Sequence, residues 1–416
     1  RTDSDSISES ILSCIILIKC PIFVGHYTLG CFLRLPLDKK TLALANILAC
    51  MQSNASKSFS GINIQARTFS NLYNASLQIF SEVFGNQIVV FYTINFVKPR
   101  EILDPDYNYQ IVMDAFFKVV KEPLFDGQLL ELAKRQLEQE RKQYYELPAN
   151  FALNGFFNTW YRNTPNYQDS VFGDEKTLKN VSLEEIKSFF NTLKNAPAFC
   201  LGQAQDPDSL TDLVQNRIDW PGYFDDFVVP TLSLSTIEDP IEKEVQFKSE
   251  QAQLLIGYGY DQSLPVYFKQ FGGLFLGEYL AGDESSKLFT EVRKKLGAAY
   301  AIDATNYVNN SLFLISTGIS KDKIAVASKA IKSGVGAVQA GKVDEDVFNK
   351  AKAALKRNYQ ISADRQDLIL IQMLANALRG RDYTFEQRIN DVKQFKMDKL
   401  IEFSQKLYFN ESYCLK

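Results

Sequence analysis

One order of sequence patterns runs through this chain twice, and any fold it adopts has to accommodate the repeat. Leu132-Ala133-Lys134-Arg135-Gln136-Leu137 and Lys350-Ala351-Lys352-Ala353-Ala354-Leu355 share an Ala-Lys-x-x-Leu core, each after an acid-capped helix start. VSLEEIKSF from Val181 to Phe189 and FKMDKLIEF from Phe395 to Phe403 share their apolar spacing. Strands come first and long helices follow in both halves. At 416 residues the chain is too long for one ordinary core, and it divides into two α+β domains of about 200 residues each. The expected boundaries are 1–220 and 246–416. A linker is expected over 221–245, because Pro221 to Pro240 holds three prolines, few periodic residues and a Thr/Ser-rich run.

In the first half, the apolar run Ile11 to Val24 reads as a buried edge strand and Tyr27 to Leu37 as a second strand. A helix follows over Lys39 to Gln52, with Leu42, Leu44, Ile47, Leu48 and Met51 on its apolar side. After a polar stretch, Ser76 to Phe84 and Gln87 to Val97 pair around the turn Gly85-Asn86. Helices are expected over Asp106 to Glu122, from Asp126 toward Pro148, on to about Tyr161, and over Ser182 to Leu193, where Ser182 and Glu185 make a capping box. Ala198 to Ala204 closes the half as a strand. In the second half, Gln251 to Gly259 reads as a strand and Pro265 to Ala281 as a helix. Lys321 to Ala340, most of Asp344 to Arg379, and Asp398 to Tyr408 complete the helical series.

Composition removes several functions. A net charge of −3 provides no basic field for nucleic acid or an anionic membrane. The six cysteines show no C-x-x-C and no ligand spacing, so reduced thiols in a cytoplasm are expected. Ile11 to Val24 contains Lys19 and Pro21, is too short to span a bilayer and follows an acidic flank, so it reads as neither a span nor a signal peptide. No G-x-S-x-G and no phosphate-binding G-x-x-x-x-G-K-[ST] occurs. The 31 Phe and 20 Tyr point to aromatic cores, with a peptide-binding lining as the alternative.

The segment Ser285 to Gly318 carries the most specific signal. Leu288, Val292 and Leu296 recur every four residues as one buried face of a helix. Lys294 and Lys295 suit the negative end of its dipole, and Gly297 is a natural stop. Two strands, Ala299 to Tyr307 and Ser311 to Gly318, are expected to turn through Asn309-Asn310. One short turn therefore brings Arg293 and Tyr300 close. Alone, the pair reads first as a solvated helix residue and a half-buried strand residue, because short motifs recur by chance.

The octet R-K-K-L-G-A-A-Y, Arg293 through Tyr300, resembles the C-terminal domain of the M16 metallopeptidases, the insulinase, pitrilysin and mitochondrial processing peptidase group. The repeated α+β halves extend the resemblance over nearly the whole chain. L-R-L-P-L at the end of the second strand and Leu72-Tyr73-Asn74-Ala75 are similar to zinc-less M16 proteins of Gram-positive bacteria. The resemblance implies two homologous domains that form a clamshell, with Arg293 and Tyr300 holding a substrate at a zinc site on another domain.

Catalytic M16 subunits carry H-x-x-E-H on the first helix of the first domain. Its two His bind Zn²⁺ and its Glu serves as general base, while a later Glu is the third ligand. Here the helix reads Ala45-Asn46-Ile47-Leu48-Ala49-Cys50-Met51, and aligned by eye Ala45 and Ala49 stand at the ligands and Leu48 at the base. The chain's single histidine is His26, read as structural. No metal or cofactor is expected on this chain. Cys50 reads as packing, and Glu138 and Glu140 as surface charges paired with Lys134, Arg141 or Lys142. The resemblance then implies a non-catalytic, substrate-binding subunit of a heterodimeric peptidase. Arg293 and Tyr300 would act in trans on a peptide at the zinc of an H-x-x-E-H-bearing sibling, with a homodimer as the alternative assembly for the isolated chain. The alternative function is that of a structural or peptide-binding homologue with no part in proteolysis. An independent metal enzyme using Asp, Glu and Cys would need a constellation the sequence does not display.

Overall fold

Strands buried on both faces dominate the architecture. The computed structural model describes residues 15–19, 25–204, 206–218, 229–234, 239–295, 297 and 299–416, apart from the side chains at 19, 295, 299 and 300. The expected edge strand is described only as β1, Ile15–Lys19, and the rest of Ile11 to Val24 lies outside the described residues. So do residues 221–228 and 235–238 of the segment read as a linker, and Ile241–Val245 at its end is a strand. Contacts divide the chain into two units. One comprises the chain up to Arg141, Asp169–Leu232 and Asp364–Asp382; the other comprises Lys142–Gln168, Ser233–Ala363 and Tyr383–Lys416.

In the first unit, β2 (His26–Pro36) runs antiparallel to both β4 (Gln87–Val97) and β5 (Ala198–Ala204). β3 (Ser76–Phe84) adds to β4, and β1 pairs in parallel with β5, so the sheet order is β1-β5-β2-β4-β3. Nearly every residue of β2 is buried, which requires cover on both faces. Helix α1 (Lys39–Asn54) covers one of them, where Tyr92 of β4 donates its hydroxyl to Gln52 Oε1 at 2.7 Å. The opposite face presents Phe32, Val89, Phe91, Phe199 and Leu201. Its cover comes from far along the sequence: Leu370, Leu374 and Leu378, from a helix over Gln366–Ala377 and its cap, complete that cluster.

The second unit repeats the plan. β6 (Ile241–Val245), β7 (Gln251–Gly259), β8 (Ala299–Tyr307), β9 (Leu312–Ser320) and β10 (Tyr408–Leu415) stand in the order β6-β10-β7-β9-β8, with β6 parallel to β10. Strand for strand this is the order of the first sheet. Phe271, Phe275 and Leu276, from a helix over Val266–Ala281, pack with Leu254 and Ile256 on one face. A helix over Pro148–Trp160, from the first half of the sequence, packs against β7 and β10. Two glycines permit its approach. A Cβ on Gly155 would lie 2.2 Å from the Tyr413 hydroxyl, and one on Gly257 would lie 2.5 Å from the Phe156 ring.

Several elements differ from expectation for physical reasons. The apolar run of β10 is interrupted by Asn410, Glu411 and Ser412, which look solvent-facing, yet all three are buried in the sheet. The polar stretch after α1 contains a helix, Ile62–Asn71, that buries only Gln65 and Phe69. The β8–β9 turn is a 3₁₀ turn over Val308–Asn310, and its positive φ of 46° falls on Ser311 rather than on the asparagines.

The borrowed cover makes a prediction. Leu374→Ala removes a fully buried side chain of the first unit's cluster. It should destabilise the protein by about 2–5 kcal/mol, seen as a lowered urea midpoint at unchanged m-value.

Candidate functional site

Helix α1 starts at Asp38, whose carboxylate accepts from the amides of Lys40 and Thr41. Its surface is apolar nearly all round, which leaves the sequence little with which to phase it. The structure supplies the phase. Ala45, Leu48 and Ala49 are 1%, 1% and 3% exposed, whereas Asn46, Cys50 and Asn54 form a polar stripe spaced by four along a cavity of about 300 Å³. The cavity therefore follows positions one residue on from those aligned by eye. Asn46, Ala49 and Cys50 line the cavity at the i, i+3 and i+4 spacing that H-x-x-E-H would occupy. The polar stripe was the available signal.

The other walls come from β3 (Ile79, Phe80 and Ser81), from the long helix α2 over Gly127–Glu146 (Gln136, Leu137 and Glu140), and from Val171-Phe172. Polar groups lock onto one another across them. Asn46 Nδ2 donates to the carbonyls of Val171 and Phe172 at 3.1 and 3.2 Å. Gln136 Oε1 accepts from Asn54 Nδ2 at 2.7 Å and from Cys50 Sγ at 3.2 Å. Burial, with the Glu140 charge adding to it, pushes the Cys50 thiol up to about 12. Along α2, Lys134 pairs with Glu131 at 2.8 Å and Arg141 with Glu175 at 2.7 Å.

These residues do not fit zinc. A site needs imidazole, thiolate or carboxylate donors converging on one point. Here two positions hold an amide and an alanine, the third holds a protonated thiol already donating to an amide oxygen, and the chain has no second histidine. Among the described residues no group of three or more His, Cys, Asp or Glu could hold a metal ion. His26 is exposed at the start of β2, where its backbone carbonyl accepts from Gln366.

The Arg293 segment departs from an ordinary helix. Phe289–Lys295 is a π-helical turn, with Leu288 and Val292 fully buried beneath it. Gly297 ends it at a φ of 55°, and its amide donates to the Arg293 carbonyl at 3.1 Å. Leu296 lies outside the described residues. Arg293 is exposed, and its guanidinium stacks 4.5 Å from the centroid of the Phe289 ring. Among the described residues no carboxylate pairs with it. Tyr300 is the second residue of β8, and the β8–β9 register shifts between Ala299 and Ala301, which makes Tyr300 the extra residue of a β-bulge. Its side chain lies outside the described residues. The backbone thus breaks regularity at both residues of the pair.

Comparison with known proteins bears on the family and the fold. Residues 152–355 match the family model described as the peptidase M16 inactive domain. An uncharacterized zinc protease of Bacillus subtilis, YmxG, is 23% identical over 343 residues, covering 80% of each chain. An uncharacterized zinc protease of Rickettsia felis is 23% identical over 311 residues, covering 72% of this chain and 73% of that one. Among solved structures, a conserved protein from Enterococcus faecalis superposes with a TM-score of 0.86 at 16% identity, over 97% of this chain and 96% of that one. A peptidase M16 inactive domain from Pseudomonas fluorescens superposes with a TM-score of 0.76 at 14% identity, over 96% and 95%.

The Cys50 environment sets a reactivity test. Because the folded thiol titrates at about 12 and an unfolded one near about 8.5, its contribution to stability is present below the lower value and lost as pH rises toward the upper. Iodoacetamide labelling of Cys50 in native protein, mapped by peptide mass, should be negligible at neutral pH. It should rise about tenfold per pH unit up to the onset of unfolding. Rapid labelling at neutral pH would contradict the network. Residues 152–355 match the M16 inactive-domain family, the chain superposes on such a structure over nearly its whole length, and its first helix turns Asn46, Ala49 and Cys50 to the cavity.

Proposed function

We propose that this chain is the non-catalytic, substrate-binding subunit of a two-chain M16 peptidase. The observation that carries the reading is the coincidence of two backbone irregularities with the two motif residues. A π turn presents Arg293, and a bulge singles out Tyr300 on the edge strand β8. Such irregularities are concentrated at functional sites because they aim groups that regular structure would not. The Arg293 guanidinium is already held against Phe289 and is without a carboxylate to neutralise it among the described residues. It therefore suits a group supplied from outside.

The metal belongs in this reading to a sibling chain that bears H-x-x-E-H, since the cavity beside α1 does not fit one. This chain contributes binding. Arg293 fixes a peptide backbone or carboxylate, and Tyr300 donates a hydrogen bond to oxygen that becomes charged during cleavage. β3 and β8 stand at sheet edges, where an extended peptide can add as a further strand. Among the described residues no helix is long and apolar enough to cross a membrane. We place the pair of chains in the cytoplasm, consistent with four described cysteines that form no disulfide.

The test is cleavage of a quenched peptide library by this chain alone, by an H-x-x-E-H-bearing sibling alone and by the mixture. Activity is expected only in the mixture. Tyr300→Phe should lower kcat about 10²-fold, as for a lost oxyanion donor, and Arg293→Ala should chiefly raise KM. A mixture indifferent to both substitutions would make this chain a scaffold, and chelator-sensitive cleavage by the chain alone would overturn the proposal.

A further inference from the structure

The face of the first sheet that meets α1 holds two cysteines whose placement has no part in the function above. Cys31 of β2 and Cys200 of β5 are register partners on adjacent antiparallel strands, and both are fully buried. The hydrogen-bonding phase of these strands follows from Arg34, whose amide donates to the Pro197 carbonyl at 3.0 Å. Antiparallel pairs alternate between hydrogen-bonded and non-hydrogen-bonded along the ladder. Counting inward from Arg34 and Pro197, Phe32 opposite Phe199 is a hydrogen-bonded pair, and Cys31 opposite Cys200 falls in a non-hydrogen-bonded one. In such a pair the Cα atoms stand about 4.5 Å apart and the side chains approach most closely. Burial, together with the Cys31 thiol beside it, raises the Cys200 thiol.

We propose that Cys31 and Cys200 form a redox modification site, a cross-strand dithiol that closes to a disulfide by exchange with a small-molecule disulfide such as oxidised glutathione. One cysteine loses its proton and attacks the reagent, forming a mixed disulfide and expelling one thiol. The second cysteine loses its proton and displaces the other reagent thiol as the Cys31–Cys200 bond forms. The two electrons taken from the protein thiols reduce the reagent's S–S bond. A Cα separation of about 4.5 Å lies at the short end of the disulfide range of about 4.4–6.8 Å, so the bridge forms under strain. Strained bridges belong to the readily reduced, labile class. Burial and the neighbouring thiol hold Cys200 well above the ordinary thiol range, so attack waits on opening of the strands rather than on a standing thiolate.

The environment gives closure a structural consequence. Cys31 stands opposite Tyr92 across β2 and β4, and Tyr92 is bonded to Gln52 of α1, the helix whose polar stripe lines the cavity. A bridge would fasten the sheet beneath that helix and join the second strand of the unit to its last.

The experiment uses the full chain in native buffer. Protein is incubated with oxidised glutathione, quenched in acid, alkylated under denaturing conditions, digested and mapped by mass. The expected result is a peptide linking Cys31 to Cys200, the loss of two alkylatable thiols per chain, and recovery of both on addition of reduced glutathione. Cys31→Ala should abolish the linked peptide and leave Cys200 alkylatable or glutathionylated. If that variant fails to fold by circular dichroism, the wild-type map decides alone. Full alkylation of both cysteines after oxidation, linkage of either to another cysteine, or a linked peptide formed only in urea would overturn the proposal.

Discussion

Two-sided burial of the central strands is the constraint on which the rest of the structure depends. A sheet strand with water on one face alternates apolar and polar residues, whereas β2 and β7 are buried almost throughout. Each sheet therefore needs helices on both faces, and each sequence half covers one face of its own sheet. The helix Gln366–Ala377 seals the second face of the first unit and Pro148–Trp160 that of the second. Neither unit is complete as a continuous stretch of chain. That interdependence fits a fold shared with solved structures over nearly their whole length at low identity.

The order of strands and long helices was legible because the periodicities are strong: Val112, Ala115, Phe116, Val119 and Val120 phase one helix, and Ser182 with Glu185 starts another. Elements whose burial is polar were hidden. Asn410 and Glu411 sit fully buried in β10, where the ladder rather than hydrophobicity holds the strand. Helix swapping was hidden for a different reason: amphipathic patterns say that a face is buried, not which sheet buries it. The cavity side of α1 was hard to phase because Ala45, Leu48 and Ala49 are as apolar as their neighbours, so only the sparse stripe Asn46, Cys50 and Asn54 marks it.

At the second unit's pair the sequence spacing was informative but the local structure was not. Four-residue recurrence of Leu288 and Val292 fits an α-helix and a π turn alike, since both bring i and i+4 near one face, and only hydrogen bonding separates them. The bulge at Tyr300 is likewise invisible in the strand-like run Ala299 to Tyr307, because it depends on the register of β9. Gly297 was legible, since its φ of 55° is the conformation a glycine at a helix end most readily supplies.

The cavity beside α1 shows why its residues make no latent metal site. An anionic or imidazole donor set, left without its cation, would be a cluster of buried groups with unmet charge or hydrogen-bonding demand. Here Gln136 accepts from both Asn54 and Cys50, Asn46 is tied to two backbone carbonyls, and the thiol keeps its proton. Each of these groups bonds to a neighbour instead of to an ion. Introducing a cation would require breaking those bonds, deprotonating Cys50 against both burial and the Glu140 charge, and supplying donors that neither Ala49 nor the amides possess. The first unit is therefore electrostatically settled, whereas in the second an exposed Arg293 stacks on Phe289 beside a strand edge. That asymmetry leaves the guanidinium, rather than the cavity beside α1, as the group open to an incoming ligand.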